Sequence, residues 1–370
     1  MAEGGRRRVP PAPAPALEND DLLSDILLRL PPAPSSLPRA SLVCKRWRRL
    51  VTGRRFLRRF RARHRRAAPL LGFFSCVPRA PVFTPTLDGP DRLPPERLSL
   101  PLLDDYGLRL LGCRHGLVLL HSPARDELLV REPGAGALSR VPVPPAFAGG
   151  GSAPVEIGAV LRAAGDGDGD GEDHWIPPFV VALVGADGAR AFASVYSSEA
   201  GEWGDLVSAA CQSIRLDLER RCLAVVPTPA NIFCTSNYLR HWVIPGEGGE
   251  LGFLHLSGYS VAELWSRKSD HGGAAQWVLR RTVDLGNLLS LSAEDGYLLI
   301  LGFSEEDKVF FVAPMVPFIA PEKDRFCCMV QLESLQSKKS FYVSKLDIYH
   351  PFSSVYTAEA WAQLVNRMGL

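Results

Sequence analysis

No apolar run in this 370-residue chain approaches the ~18–20 residues that a bilayer-spanning helix needs. The first sixteen residues carry Arg6, Arg7 and Arg8 but no apolar stretch after them. They run into alternating Pro and Ala, the texture of a disordered tail (1–16) and not of a secretory leader. Cysteines are few: Cys44, Cys76, Cys113, Cys211, Cys222, Cys234, Cys327 and Cys328. None forms a Cys-x-x-Cys pair, so neither a zinc ribbon nor a disulfide framework is indicated, and reduced thiols in the nucleus or cytosol are expected. There is no Gly-x-Ser-x-Gly elbow, so an α/β-hydrolase nucleophile is not indicated.

Charge of one sign is missing from a whole segment. Between Lys45 and Arg66 there are twelve Lys or Arg and no Asp or Glu. The net charge of +2 conceals this asymmetry: residues 1–80 hold 18 basic and 5 acidic side chains, and the remainder holds 24 and 35. Two regions with different surfaces follow from such a split. For the basic run, one reading is nucleic-acid binding or a localisation patch. The other is a solvated helix face complementary to an acidic adaptor. No alternating aromatics supply a stacking platform, which favours the second over nucleic acid and leaves a localisation role open.

Helical periodicity is strongest near the start. Leu22, Leu23, Ile26, Leu27 and Leu30 recur on one helical face, with Asn19, Asp20 and Asp21 ahead of it and Pro31 and Pro32 behind. Asn and Asp there suit the free amides and positive dipole end of a helix, and the prolines stop it. Pro38 suits the first turn of a second helix running through Ala40, Leu42, Val43 and Cys44 to Trp47 or Leu50. Gly53 interrupts, and a third helix begins near Arg54 with Phe56, Leu57 and Phe60 on one face. Cys44 reads as a small buried apolar residue. Three short helices over 17–66 make a unit marginal by itself, and its apolar residues exceed what fifty residues bury. Part of that face is therefore expected to be an interface, with Trp47 as an anchor.

From residue 69 onward Pro and Gly are frequent and apolar runs shorten. Residues 117–120, 127–130, 179–184, 191–195, 251–254, 278–281, 297–301 and 308–312 read as strands, separated by turn signals such as Glu199-Ala200-Gly201. A strand–turn–strand pattern recurs loosely at Leu128–Val141 and Phe192–Trp203, as in the blades of a propeller. A short amphipathic helix over 356–370 would end the chain, on Ala360, Trp361, Leu364 and Val365.

Several constellations imitate chemistry. The stretch Asp166-Gly167-Asp168-Gly169-Asp170-Gly171 has the first half of a calcium loop, but Pro177 stands where the closing Glu belongs. Cys113 and His115 lack a second pair at zinc spacing, and Gly112 and Gly116 point to a turn. Cys327 and Cys328 are adjacent on a strand and would face opposite sides. Trp203, Trp265 and Trp277 read as blade-packing residues. No metal and no cofactor is called for.

Leu17 to Pro32, followed by Ser41-Leu42-Val43-Cys44-Lys45-Arg46-Trp47-Arg48-Arg49-Leu50, resembles an F-box, with the Val-Cys-Lys-x-Trp-Arg segment as its most distinctive part. Many F-boxes open with Leu-Pro where this chain has Leu17-Glu18. With Arg59-Phe60, the Pro69–Phe74 segment, Leu264–Arg267, Trp277–Arg281 and Met329–Ser334, the chain resembles a large F-box family of grasses. The resemblance implies an α+β multidomain chain: a three-helix F-box at 17–66, then an all-β, propeller-like substrate domain at 70–370. It implies docking on a Skp-type adaptor held by a cullin, with the second domain binding a protein substrate for ubiquitin transfer. The chain would then be a non-catalytic subunit. The adaptor face so implied is Leu17, Leu22, Leu23, Ile26, Leu27, Leu30, Pro31, Leu42, Val43, Cys44, Trp47 and Leu50. Other readings are a nucleic-acid-associated factor, or an F-box protein outside any ligase, using the basic segment 45–66. No residue is indicated as a substrate contact.

Overall fold

Asn19 opens the first helix as the sequence predicts. Its backbone is extended, and its side-chain oxygen accepts from the amides of Asp21 (2.9 Å) and Leu22 (3.2 Å). The computed structural model describes residues 19–357 except 78–79, 99, 101–106, 135, 149–154, 164–175, 177, 188, 211–213, 218–221, 227, 230–237, 247–249, 270–274, 292–295, 316–325 and 343–346. The N-terminal tail, Leu17, the Asp166–Gly171 stretch and the helix expected after Thr357 lie outside the described residues. Two compact units form: the chain through Ala67 together with the chain from Val355, and Ala68–Ser354.

Among the described residues the first unit has four α-helices, α1 (Asp20–Leu27), α2 (Ser36–Ser41), α3 (Lys45–Val51) and α4 (Arg54–His64). The expected second helix is in fact two. Leu42 and Val43 close a turn onto the carbonyls of Arg39 (3.2 Å) and Ala40 (3.3 Å), after which Cys44 is fully extended, with φ −164° and ψ 168°. Cys44 is exposed and not buried as expected. It is the N-cap of α3, and its sulfur accepts from the Trp47 amide at 3.5 Å, a position that turns the side chain back over the helix end. Likewise α1 stops at Leu27, short of the prolines, because Arg29 and Leu30 tighten into turns on Ile26 and Leu27.

The core of this unit is Leu23, Leu27, Leu28, Leu37, Ala40, Val51, Phe56, Leu57 and Phe60. Phe56 stacks on Phe60 (centroids 6.0 Å apart), and the His64 ring meets the Leu28 carbonyl at 2.9 Å. The chain end returns here. Val355 packs on this core, and the Arg61 guanidinium donates through Nε (3.0 Å) and Nη2 to the hydroxyl of buried Thr357.

Apart from the short helix Leu285–Leu289 and the single 3-10 turns Pro95–Arg97 and Tyr238–Arg240, the described residues of the second unit are all β, and it is arranged as a five-bladed propeller. Its sheets are β1 (Leu70–Val77), β2 (Ala80–Pro85) and β22 (His350–Ser353); β3 (Arg109–Arg114) to β6 (Ala137–Pro142); β7 (Val155–Arg162) to β11 (Val207–Ala210); β14 (His241–Pro245) to β17 (Ala275–Asp284); and β18 (Tyr297–Ser304) to β21 (Ser337–Tyr342). The hairpin β12 (Ile214–Asp217) and β13 (Cys222–Val225) pairs by itself. All pairings among the described residues are antiparallel, and β22 pairs with β1, so the last described strand of the ring is hydrogen-bonded to the first.

Seven of the eight expected strand segments lie wholly in strands of this ring, and the eighth does but for its first residue: β4 (Leu117–Ser122), β5 (Glu127–Glu132), β8 (Phe179–Ala186), β9 (Arg190–Ser197), β15 (Leu251–Ser257), β17, β18 and β19 (Val309–Met315). Lys308, taken from sequence as the first residue of its strand, sits in the preceding turn with φ +51°. The loose repeats are blade hairpins, pairing Leu128 with Val141 and Tyr196 with Trp203. Blades pack face to face through apolar clusters. Cys328 belongs to the cluster between the β14–β17 and β18–β21 sheets, and Cys327 to the one that joins β18–β21 to Phe73 of β1. Adjacent cysteines thus face opposite sides, as strand alternation requires.

Candidate functional site

The helical unit exposes an apolar ridge. In α1 the residues predicted to share one face divide into two stripes. Leu23 and Leu27 are in the core, and Leu22 (48% exposed) and Ile26 (43%) face outward. Adjacent helical residues lie 100° apart, so each Leu-Leu or Ile-Leu doublet sends one side chain each way. The turn between α2 and α3 adds Leu42 (71% exposed) and Val43 (60%). Arg46 in the first turn of α3 pairs with Asp20 in the first turn of α1 (2.7 Å), which ties the two ridge segments together. Exposed Cys44 lies beside Val43, and Pro31 is also exposed. Trp47, Leu50 and Leu30 are half-buried against the core and support the ridge from behind. Of the face expected from sequence, then, Leu22, Ile26, Leu42, Val43, Cys44 and Pro31 are open, Leu30, Trp47 and Leu50 are partly open, and Leu23 and Leu27 are not.

Beside the ridge lies the basic surface. Arg59 pairs with Asp25 (2.8 Å) as Arg46 does with Asp20, and both acids come from α1. Exposed pairs of this kind contribute only about 0–1 kcal/mol each.

These observations have a counterpart among known domains. Residues 19–59 match the F-box domain. No curated protein matches the chain. Among solved structures, dihydro-heme d1 dehydrogenase NirN in complex with DHE aligns at 12% identity and TM-score 0.23, over 75% of this chain and 43% of that one. The intramolecular trans-sialidase from Ruminococcus gnavus, in complex with oseltamivir carboxylate, aligns at 10% identity and TM-score 0.22, over 68% and 45%. This chain therefore spans less than half the length of either enzyme, and likeness at those scores carries no argument about chemistry.

The polar and aromatic residues singled out in the propeller have structural partners among the described residues. Burial pushes the Cys113 thiol well up, with Cys76 nearby adding to it, which favours the neutral thiol. His115 turns the chain, with φ +53°, and its ring nitrogen accepts from the Arg162 amide at 3.4 Å. Gly116 is in that turn as expected (φ +74°), but Gly112 is within β3, next to a register shift opposite Leu119. Among the described residues no group of three or more His, Cys, Asp or Glu is placed to hold a metal. Trp203 packs on a blade cluster and donates to the Pro142 carbonyl (2.8 Å), Trp265 donates to Glu263 (3.2 Å), and Trp277 meets Phe253 edge-on at 5.8 Å. No described helix is long and apolar enough to cross a membrane.

Two features escaped the sequence reading: the exposed Leu42-Val43 turn and the Arg61–Thr357 contact. Cys44 just ahead of Lys45 at a helix start was the available signal for the first. Nothing local signals the second, whose partners are 296 residues apart.

Proposed function

We propose that the chain is the substrate-recognition subunit of a Skp–cullin–F-box ubiquitin ligase. The observation that carries this is the exposed ridge Leu22, Ile26, Leu42 and Val43 on the F-box domain. Four open aliphatic side chains grouped on one small unit mark a contact surface, and a Skp-type adaptor that covers them takes that apolar area out of water. Cys44, Pro31, Trp47, Leu50 and Leu30 complete the contact. Leu23 and Leu27 act through the core that holds the ridge in place. The adaptor brings a cullin, a RING protein and a ubiquitin-charged enzyme. The propeller holds a protein substrate, and catalysis is a raised effective concentration of a substrate lysine near a thioester made elsewhere. In this reading the chain supplies no catalytic residue, acts in the nucleus or cytosol, and belongs with the F-box family of grasses that its sequence resembles.

The test is a pull-down with a plant Skp-type adaptor. Leu42→Asp with Val43→Asp is the informative variant, because both side chains are exposed in the free chain and their loss leaves the core intact. Covering the exposed half or more of these two side chains is worth about 3 kcal/mol, so binding falls roughly 100-fold or more. A folded wild-type chain that does not bind, or a double variant that binds equally well, overturns the proposal.

A further inference from the structure

Strand β14 has few ties to its blade. It is five residues long, stands at one edge of its sheet and, among the described residues, pairs with β15 alone. Pro245 at its end has no amide to give to a ladder. Val243 and Pro245 are exposed, while Trp242 and Ile244 hold the strand to the apolar cluster beneath it.

Its first residue opens a row of titratable groups. His241 stands directly opposite His255 of β15, and His255 directly opposite Glu263 of β16 (Val261–Ser269), so the three side chains share one face of the sheet. The His241 ring lies nearly parallel to that of Phe253, with centroids 5.7 Å apart. The His255 ring bonds to the backbone of Arg240, and its Nδ1 is buried without a partner. Arg240 comes immediately before the strand. Its guanidinium donates to the Gly258 carbonyl and lies 5.4 Å from the centroid of the Tyr297 ring of β18, while its Nε is buried without a partner. Neither the carbonyl nor the ring brings a formal negative charge. Among the described residues Glu263 is the one acid that acts on His255.

The geometry points to His241 and His255 as an acid-sensitive latch on β14: when neutral they leave the strand paired, and when protonated they set two cations opposite each other beside Arg240, with one carboxylate to answer them, and release β14 from β15. Like charges directly opposite destabilise a strand pair, and the effect is strongest where water is excluded. Burial holds both imidazoles below their ordinary value near 6.5. On His255 the upward pull of Glu263 is opposed by Arg240 and His241. With the folded values lowered, the latch is whole above pH 6.5 and is lost as pH falls below it. Its opening leaves β15 with an unpaired edge. The latch lies in the propeller and acts whether or not the chain serves a ligase.

The experiment is hydrogen exchange on the full chain, read by mass spectrometry on peptides covering β14 and β15 and corrected for the intrinsic rate at each pH. Protection there is expected to fall about 10-fold or more between pH 7.5 and pH 5.0. An imidazole that stays neutral in the paired strand and protonates near 6.5 in the open one sets a ceiling of about 30-fold each at pH 5.0. His241→Phe with His255→Gln removes both titrations while keeping a ring beside Phe253, and should hold protection within about 2-fold over the same range. Glu263→Gln removes the answering carboxylate and should deepen the fall. A fall of less than about 2-fold in wild type overturns the inference. So does a double variant that falls as far as wild type, because acid would then act through another group such as His350. Where the double variant is already unprotected at pH 7.5, Glu263→Gln decides: a fall equal to or smaller than that of wild type overturns the inference, and a deeper one supports it.

Discussion

Cutting the chain after Ser354 should destabilise helices more than 290 residues earlier. Val355 and Thr357 belong to the helical unit: Val355 packs on its core, and the Thr357 hydroxyl takes two guanidinium donors from Arg61. A hydrogen bond from a charged donor to a buried acceptor contributes about 1.5–3 kcal/mol. A partly buried Val adds about 1 kcal/mol. Some fifty residues at ~0.05–0.15 kcal/mol each give the unit only about 2.5–7 kcal/mol in total. Losing about 3 kcal/mol therefore removes near half of it or more. Native-state hydrogen exchange reads this directly at the amides of Leu57 and Phe60, whose protection should fall roughly 100-fold in the truncated chain. Two point variants separate the causes. Thr357→Val should lower protection about 10- to 100-fold by removing the hydroxyl acceptor. Val355→Ala should lower it by less than tenfold. Exchange at Leu57 and Phe60 that stays within twofold after truncation would refute the reasoning, because it would mean that the F-box core is complete without the chain end.

Three further outcomes are expected. Burial holds the His350 imidazole at about 4, below its ordinary value near 6.5. The unfolded chain then takes up this proton first as pH falls, so the stability is whole above pH 6.5 and is lost between 6.5 and about 4. At pH 5 the loss is about 2 kcal/mol, felt at the β1–β22 closure of the ring, and His350→Gln should flatten the urea midpoint between pH 7.5 and pH 5. Gly302→Ala would place a Cβ 2.3 Å from the Tyr349 carbonyl oxygen, a backbone atom that cannot step aside, and should cost the propeller at least about 2 kcal/mol in denaturant unfolding. Phe60→Ala removes a fully buried aromatic ring of the helical core and should cost about 3–5 kcal/mol, enough to abolish the unit's circular-dichroism unfolding transition at 25 °C.

What could be read from sequence was what is local. The cap at Asn19, the Leu23–Leu27 spacing and the Phe56–Leu57–Phe60 face each lie within one helix and follow from its 3.6-residue period. Strands such as β4 and β18 were legible because burial on both faces makes them continuous apolar runs. The outer strand β21 was not, since Ser337-Lys338-Lys339-Ser340 reads as a polar loop. The four-residue β22 was missed because its role comes from pairing with β1, some 280 residues away, and no short-range pattern encodes that. The break between α2 and α3 was hidden for another reason. A single helix and a helix–turn–helix both bring Ala40 and Val51 to the core, so the apolar period agrees with either.

That ambiguity bears on function, because the break creates the surface. Carried through as one helix, Leu42 and Val43 would lie on successive positions of a regular cylinder, and only one could project furthest from the core. In a tight turn their side chains are released from helical phase, and both stand open at 71% and 60%. The capping by Cys44 and the Arg46–Asp20 pair then fix that turn beside the outward stripe of α1. A sequence under pressure for stability alone would replace four exposed aliphatics with polar residues at no cost to the core, whose members are different side chains. Keeping Leu22, Ile26, Leu42 and Val43 open while Leu23, Leu27, Leu37 and Val51 pack inside is the division of labour expected of a small adaptor-binding module. In the proposed reading such a module is marginal in its free form and gains stability from the adaptor that covers the ridge.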